Sequence, residues 1–185
     1  MASILGSVLF YLVVTVALLI MILYVLPVAG AFFFTGGSTF VPTSKQKIEK
    51  VLDLVPMAPG ALVIDLGCGD GRFLLAAERR YDVEAVGYDI NLTAYLLARL
   101  NILLHRSRAR VYLKNFRKVD LGQADYIFCY LFPDVLRALR RKFDAELKAG
   151  CVVVSCDYLI EEWREPEVIS YPVNNKEEKI YIYRT

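Results

Sequence analysis

Residues Val63-Ile64-Asp65-Leu66-Gly67-Cys68-Gly69-Asp70-Gly71 join an apolar run to an acidic side chain and three alternating glycines. Such a run describes a strand feeding a tight turn. There the backbone approaches a ligand closely, and the helix that follows points its N-terminal N–H groups at it. A dinucleotide fingerprint needs glycine at the sixth position of G-x-G-x-x-G, but Arg72 stands there and the third glycine falls one residue early, at Gly71. The spacing predicts a site for S-adenosylmethionine rather than NAD.

Asp65 ends the first strand on the side where ligands bind in open α/β sheets, placed to orient the loop or to reach the methionine amino group through water. Asp89 closes the second strand 24 residues later, the distance at which an acidic side chain takes ribose hydroxyls. Cys68, within the loop, and Ile90, next to Asp89, are counted with Gly67, Gly69 and Gly71 as cofactor neighbours. Asn115-Phe116 follows the third strand, where the adenine lies: the amide could bond the base and the ring pack against it. A polar turn residue followed by a core Phe is the alternative.

For the methyl acceptor the segment after the fourth strand, Cys129-Tyr130-Leu131-Phe132-Pro133, carries two aromatic rings suited to a cationic or alkylated nitrogen. Enzymes that methylate exocyclic base amines usually offer Asn or Asp, then Pro-Pro and an aromatic, so this segment argues against a nucleic-acid substrate. Asp157, after the fifth strand, is placed to orient an ammonium or help remove its proton. The single histidine, His105, lies far from the glycine loop in sequence. No catalytic triad or metal-ligand cluster can be assembled, and methyl transfer needs neither, because positioning supplies much of the acceleration.

These residues must be carried by alternating elements. A helix over Lys45 to Leu54, capped by Thr43 or Ser44, precedes a strand over Ala61 to Leu66. A helix (Arg72 to Arg80), a strand (Glu84 to Tyr88), a helix (Leu92 to Leu104) and a strand (Val111 to Leu113) follow. Next come a strand (Ala124 to Tyr130), a helix opened by proline (Pro133 to Lys148) and an apolar strand (Cys151 to Cys156). The pattern predicts a five-stranded parallel sheet covered on both faces. Glu167 to Val173 and Lys179 to Tyr183, joined at Asn174-Asn175, predict a terminal antiparallel hairpin. The fold class is therefore α/β, a Rossmann-like seven-stranded methyltransferase sheet, and the hairpin opposes an oxidoreductase.

The 185 residues hold one such domain, and a mean hydropathy of +0.41 is high for a purely soluble one. The excess lies in the 23 residues from Ile4 to Leu26, and no charged side chain precedes Lys45. As a helix this span measures roughly 34 Å, enough for a hydrocarbon core of about 30 Å. A secretory signal is the rival, with Ala29-Gly30-Ala31 as a cleavage site, but a basic n-region is missing and the run is long. Pro27 would end the helix, Phe32 to Phe34 would form an interfacial segment, and the domain would start near Thr39, dividing the chain into an anchor and linker, 1–38, and a methyltransferase domain, 39–185. Lys45, Lys47 and Lys50 beyond the span predict a cytoplasmic domain, or a matrix one in a mitochondrion.

Cys68, Cys129, Cys151 and Cys156 form no C-x-x-C pair and read as reduced, buried thiols. A net charge of +2 gives no sign of a nucleic-acid partner, and no metal is expected. The stretch containing Arg106, Arg108, Arg110, Lys114, Arg117 and Lys118 is locally basic, either a solvated face or one resting on anionic headgroups.

From Phe40-Val41-Pro42-Thr43-Ser44 through the glycine motif, Gly87-Tyr88-Asp89-Ile90-Asn91 and on to Trp163, the chain resembles the membrane-anchored lysine methyltransferases. Eukaryotic members methylate the ATP synthase c-subunit or the adenine nucleotide translocase in mitochondria, and prokaryotes have short relatives. The resemblance implies S-adenosylmethionine as cofactor, with Asp65, Gly67, Gly69 and Gly71 at the cofactor loop and Asp89 at the acidic ribose position. Asn115 falls where that family usually has aspartate, and Ser155-Cys156-Asp157-Tyr158 matches its stretch around an aspartate without the prolines that usually follow. It implies a protein-lysine methyltransferase acting on a membrane or membrane-associated protein. The rivals are a methyltransferase of a lipid headgroup amine or small lipophilic acceptor, and a non-catalytic membrane scaffold.

Overall fold

The computed structural model describes residues 2–25, 43–173 and 176–185. They divide into two units, the first ending at residue 39 and the second beginning at residue 40. Pro27, Ala29-Gly30-Ala31, Phe32 to Phe34, Thr39, Phe40-Val41-Pro42 and Asn174-Asn175 lie outside the described residues.

The first unit holds helix α1 (Ala2–Ile20), continued by a π-helical turn, Met21–Val25. Gly6–Tyr24 has a mean hydropathy of 2.7, and none of it is buried. The Thr15 hydroxyl donates to the Tyr11 carbonyl at 2.8 Å, so even this polar group is satisfied within the helix. Length and composition are those of a membrane-crossing helix and equally of a signal sequence.

The second unit is a seven-stranded sheet. Its elements are α2 (Lys45–Leu54), β1 (Leu62–Leu66), α3 (Arg72–Tyr81), β2 (Glu84–Asp89), α4 (Leu92–Leu104) and β3 (Arg110–Leu113). They continue with β4 (Tyr126–Cys129), α5 (Pro133–Glu146), β5 (Val152–Cys156), β6 (Glu167–Val173) and β7 (Lys176–Arg184). The strand order is β3-β2-β1-β4-β5-β7-β6, with β7 antiparallel to both β5 and β6 and the other pairs parallel. This is the Rossmann-like methyltransferase fold the sequence predicts. The order reverses at β1, so a crevice opens between the carboxyl ends of β1 and β4, where ligands bind in such sheets.

Two apolar layers cover the sheet. Ile48, Val51 and Leu52 of α2, Phe73 and Leu74 of α3, and Ala98 of α4 pack on one face. Leu136, Leu139 and Phe143 of α5 pack on the other, with Tyr183. Between the two helical residues and the sheet, Phe73 stacks on Phe128 at a centroid distance of 3.9 Å.

Boundaries differ where polar side chains replace ladder bonds. β4 begins at Tyr126 rather than Ala124 because Ala124 N closes a turn on the Leu121 carbonyl, and the Asp125 carboxylate accepts from Leu62 N at 2.8 Å. β7 begins at Lys176 rather than Lys179, since Lys176, Glu177 and Glu178 pair with Val173, Pro172 and Tyr171. Glu178 is polar there because it meets Lys47 and Tyr171 instead of an apolar layer.

Gly87 of β2 lies opposite Asp65. A Cβ there would stand 2.6 Å from Leu74 Cδ1 and 2.7 Å from both Cβ and Sγ of Cys68. Gly87→Ala is expected to lower stability by roughly 1–3 kcal/mol, as overpacking does, and to weaken cofactor binding by displacing the loop at Cys68. Denaturant unfolding and a cofactor titration check both effects.

Candidate active site

The glycine loop is held from below by β2. Gly67 N and Cys68 N both donate to the Tyr88 carbonyl, at 2.8 and 3.1 Å, and Gly71 N donates to Cys68 O at 2.8 Å. Gly67 and Gly71 take φ of +81° and +77°, which L side chains rarely adopt. A Cβ on Gly67 would also lie 2.8 Å from Leu131 Cδ2, so a side chain would narrow the crevice as well as strain the turn.

Asp89 braces the loop from the end of β2. Its Oδ2 accepts from Gly69 N at 2.9 Å and its Oδ1 from Asn91 N at 2.8 Å. Burial raises its pKa, and the N–H groups of Asn91, Gly69 and Ile90 pull it back down. Asn91 caps α4, accepting from Thr93 N and Ala94 N at 2.9 and 3.2 Å. Asp70 is engaged by the Arg72 guanidinium at 2.9 and 2.6 Å, and Arg72 also donates to the Thr43 carbonyl at 3.0 Å. The segment leading into α2 is thereby tied to the loop.

Asp65, Gly67, Gly69 and Tyr130 line a cavity together with Thr43 and Arg72. Asp65 is 3% exposed, and among the described residues its carboxylate receives no hydrogen bond. Its pKa is held well above the ordinary aspartate value, chiefly by burial and then by Asp89 and Asp70. A buried carboxylate without a protein partner, facing a glycine-lined cavity, suits a cationic ligand such as S-adenosylmethionine, with its sulfonium and ammonium groups. Burial and the same acids push the Cys68 thiol up, so it is a neutral wall of the loop and not a nucleophile.

Asn115 and Phe116 follow β3. The Asn115 side-chain Oδ1 accepts from Arg117 N at 2.9 Å, capping a 3₁₀ turn over Phe116–Lys118, while Phe116 is 8% exposed and belongs to the core layer around α5. The side-chain NH₂ of Asn115 remains, and Phe116 supports the turn from within. Ile90 is exposed beside Asp89.

On the acceptor side the fold joins Tyr130 and Asp157 through residues that sequence reasoning missed. Lys47 of α2 is buried, its Nζ 2.5 Å from Asp157 Oδ2, 3.3 Å from Glu178 Oε2 and 4.5 Å from the centroid of the Tyr130 ring. Tyr171 Oη donates to Glu178 Oε2 at 2.9 Å. Asp157 takes a left-handed φ of +65°, its N–H held by the Lys179 carbonyl at 2.8 Å, and its Oδ1 is buried without a hydrogen-bond partner. Phe132 is 41% exposed and tilts against Tyr158 at 6.2 Å. Burial lowers the Lys47 pKa, but the hydrogen bond and charge of Asp157 outweigh it, and the net shift is upward. Burial and Asp157 raise that of Tyr130, which stays a neutral phenol. A signal for Lys47 existed: it shares the buried stripe of α2 with Ile48, Val51 and Leu52.

All four cysteines are free and buried. Among the described residues no group of three or more His, Cys, Asp or Glu side chains could hold a metal ion.

A family model described as ANTKMT methyltransferase domain matches residues 65–167. A protein-lysine N-methyltransferase of Saccharolobus islandicus is 33% identical over 147 residues, covering 78% of this chain and 91% of the relative. The adenine nucleotide translocase lysine N-methyltransferase of Mus musculus is 36% identical over 132 residues, 70% of this chain but only 57% of the mouse protein. Among solved structures, an RNA methyltransferase from Salinibacter ruber in complex with S-adenosyl-L-homocysteine superposes with a TM-score of 0.71 at 26% identity, over 78% of this chain and 93% of the other.

Proposed function

We propose that this chain, which belongs to the ANTKMT methyltransferase domain family and is an S-adenosylmethionine-dependent methyltransferase, methylates the ε-amine of lysine in a membrane or membrane-associated protein. One observation carries the acceptor: next to Tyr130, which lines the glycine-loop cavity, the fold already holds a lysine ammonium, that of Lys47, between a carboxylate pair and an aromatic face. The lysine relatives, archaeal and mammalian, support the same acceptor. The apolar helix and its mean hydropathy of 2.7 support a membrane location, with residues 1–38 as anchor and linker and 39–185 as the catalytic domain on the cytoplasmic or matrix side.

When bound, S-adenosylmethionine supplies an electrophilic methyl group, so the protein must position and deprotonate rather than activate. Asp65, Gly67, Cys68, Gly69 and Gly71 would hold its methionine end, Asp89 and Ile90 the ribose, and Asn115 the base side, while Phe116, expected from the sequence to pack on the adenine, faces the core under α5 and only supports that turn. For the acceptor, Asp157 Oδ1 is a free buried oxygen. Asp157 and Glu178 around Lys47 leave one negative charge to receive an incoming ammonium, and Tyr130 and Phe132 offer ring faces to its alkyl stem. A lysine amine, with an ordinary pKa of about 10.4, attacks only when neutral. Desolvation and the neighbouring Lys47 charge both favour its neutral form.

The test incubates the full chain with methyl-labelled S-adenosylmethionine and membranes from a strain lacking the gene, then separates protein from lipid. Label on lysine of a delipidated protein is expected. At limiting cofactor it should fall with Asp89→Ala, which removes the bracing of Gly69 and Asn91 and costs roughly 10- to 150-fold in cofactor affinity, the worth of one charge-assisted hydrogen bond. Label confined to lipid, or none despite measurable cofactor binding, would overturn the lysine assignment.

A further inference from the structure

Helix α4 is built the wrong way round for a helix facing water. Only Ala94 and Ala98 of its thirteen residues are buried. Leu92, Leu96, Leu100, Leu103 and Leu104 are 54%, 56%, 50%, 74% and 68% exposed. On the edge strand β3, Leu113, which shares the α4 side of the sheet with Val111, is 47% exposed. An apolar face of this kind marks a surface that is covered in use.

Its charge says by what. From Ile90 to Val119 the sequence has no Asp or Glu. Arg108 pairs with Glu78 and Asp82, and Arg110 with Glu84, all from neighbouring elements. Arg106, Lys114, Arg117 and Lys118 are exposed and form no ion pair among the described residues. A leucine face with unneutralised cations just past the end of α4 and of β3 is complementary to a bilayer surface carrying anionic headgroups, with the leucines sunk about 5–10 Å at the acyl boundary. A second copy of the chain would bring the same cations against themselves in a two-fold contact.

We infer that α4 and the adjoining edge of β3 form a second, interfacial membrane contact, which docks the catalytic domain on anionic lipid. The inference rests on the membrane location proposed above, and the experiment separates the two. The four native cysteines are buried, so a thiol-reactive environment-sensitive fluorophore can be placed at Leu103→Cys, with Arg141→Cys on α5, at the opposite face of the sheet, as control. The full chain is reconstituted into vesicles of phosphatidylcholine with or without phosphatidylglycerol, floated, and exposed to lipid-borne and aqueous quenchers.

The expected result is a blue-shifted emission at position 103, quenched from the lipid phase and only with phosphatidylglycerol, while position 141 stays aqueous. Arg106→Gln with Lys114→Gln should abolish the shift at 103 without preventing flotation. A chain that floats with position 103 still open to the aqueous quencher would overturn the interfacial contact and leave the anchor standing. A shift that follows protein density rather than lipid charge would assign the face to a second copy and overturn it equally. Failure to float in either composition would overturn both the anchor and the contact.

Discussion

Asp65→Asn is expected to raise the stability of the protein and to weaken its hold on S-adenosylmethionine. The carboxylate is buried, and burial first, then Asp89 and Asp70, keep its pKa well above the ordinary range. An acid whose pKa is raised by folding costs stability once the pH rises through the unfolded value, because the native state resists the ionisation that water allows. Asparagine has the same shape and cannot ionise, so the variant should be more stable than the parent at neutral pH, by a margin that disappears as pH falls below the ordinary aspartate range.

The same change removes the anion that suits a cationic ligand. Affinity should fall about 10- to 150-fold, the worth of one charge-assisted hydrogen bond. In the native protein a bound cation favours the Asp65 carboxylate, so binding releases a proton. Affinity should therefore rise with pH from the ordinary aspartate range up to the raised value, and the asparagine variant should show no such slope. Calorimetric titration in two buffers of different ionisation enthalpy reads the proton directly. A variant that is less stable and binds as well as the parent would contradict both halves of the argument.

The second large effect concerns Lys47. Lys47→Met leaves Asp157 and Glu178 without their shared cation, and breaking a buried pair from one side costs about 3–5 kcal/mol. Both carboxylates are one-quarter exposed, which places the loss at the lower end of that range. Lys47→Met combined with Asp157→Asn should recover part of it, and the double-mutant cycle measures the coupling. The pH dependence lies on the alkaline side. The Lys47 pKa is raised in the folded state, so its contribution is complete below the unfolded value, near 10.4 for a free lysine, and is lost as pH climbs through the folded one. Denaturant unfolding between pH 8 and pH 11 should show the parent losing stability where the Lys47→Met variant does not.

Local structure was legible in the sequence. The glycine loop, Asp89 and the bounds of α2, α4 and β6 could be read because each depends on residues a few positions apart: a cap, a period, a turn. Lys47 could not be assigned in the same way, since its partner Asp157 is 110 residues away and the contact exists only once β5 and α2 have met. Phe116 illustrates the same limit: whether a Phe after a strand faces a ligand or the core depends on which helix covers that face, and here α5 does. The early start of β7 was hidden because its paired charged residues look like a turn unless the partner strand is known.

The position of β7 has a consequence for biosynthesis. It follows every other strand in the sequence, yet it lies between β5 and β6 and contributes Glu178 to the pocket where Lys47 sits. A nascent chain emerging from the ribosome exposes Lys47 long before Glu178, the residue that completes the carboxylate pair. Until β7 slots into the sheet, the amine pocket lacks one of its two acids and β6 has no neighbour. The last strand to be made is therefore the one that joins β6 to the sheet and closes the ion cluster around Lys47.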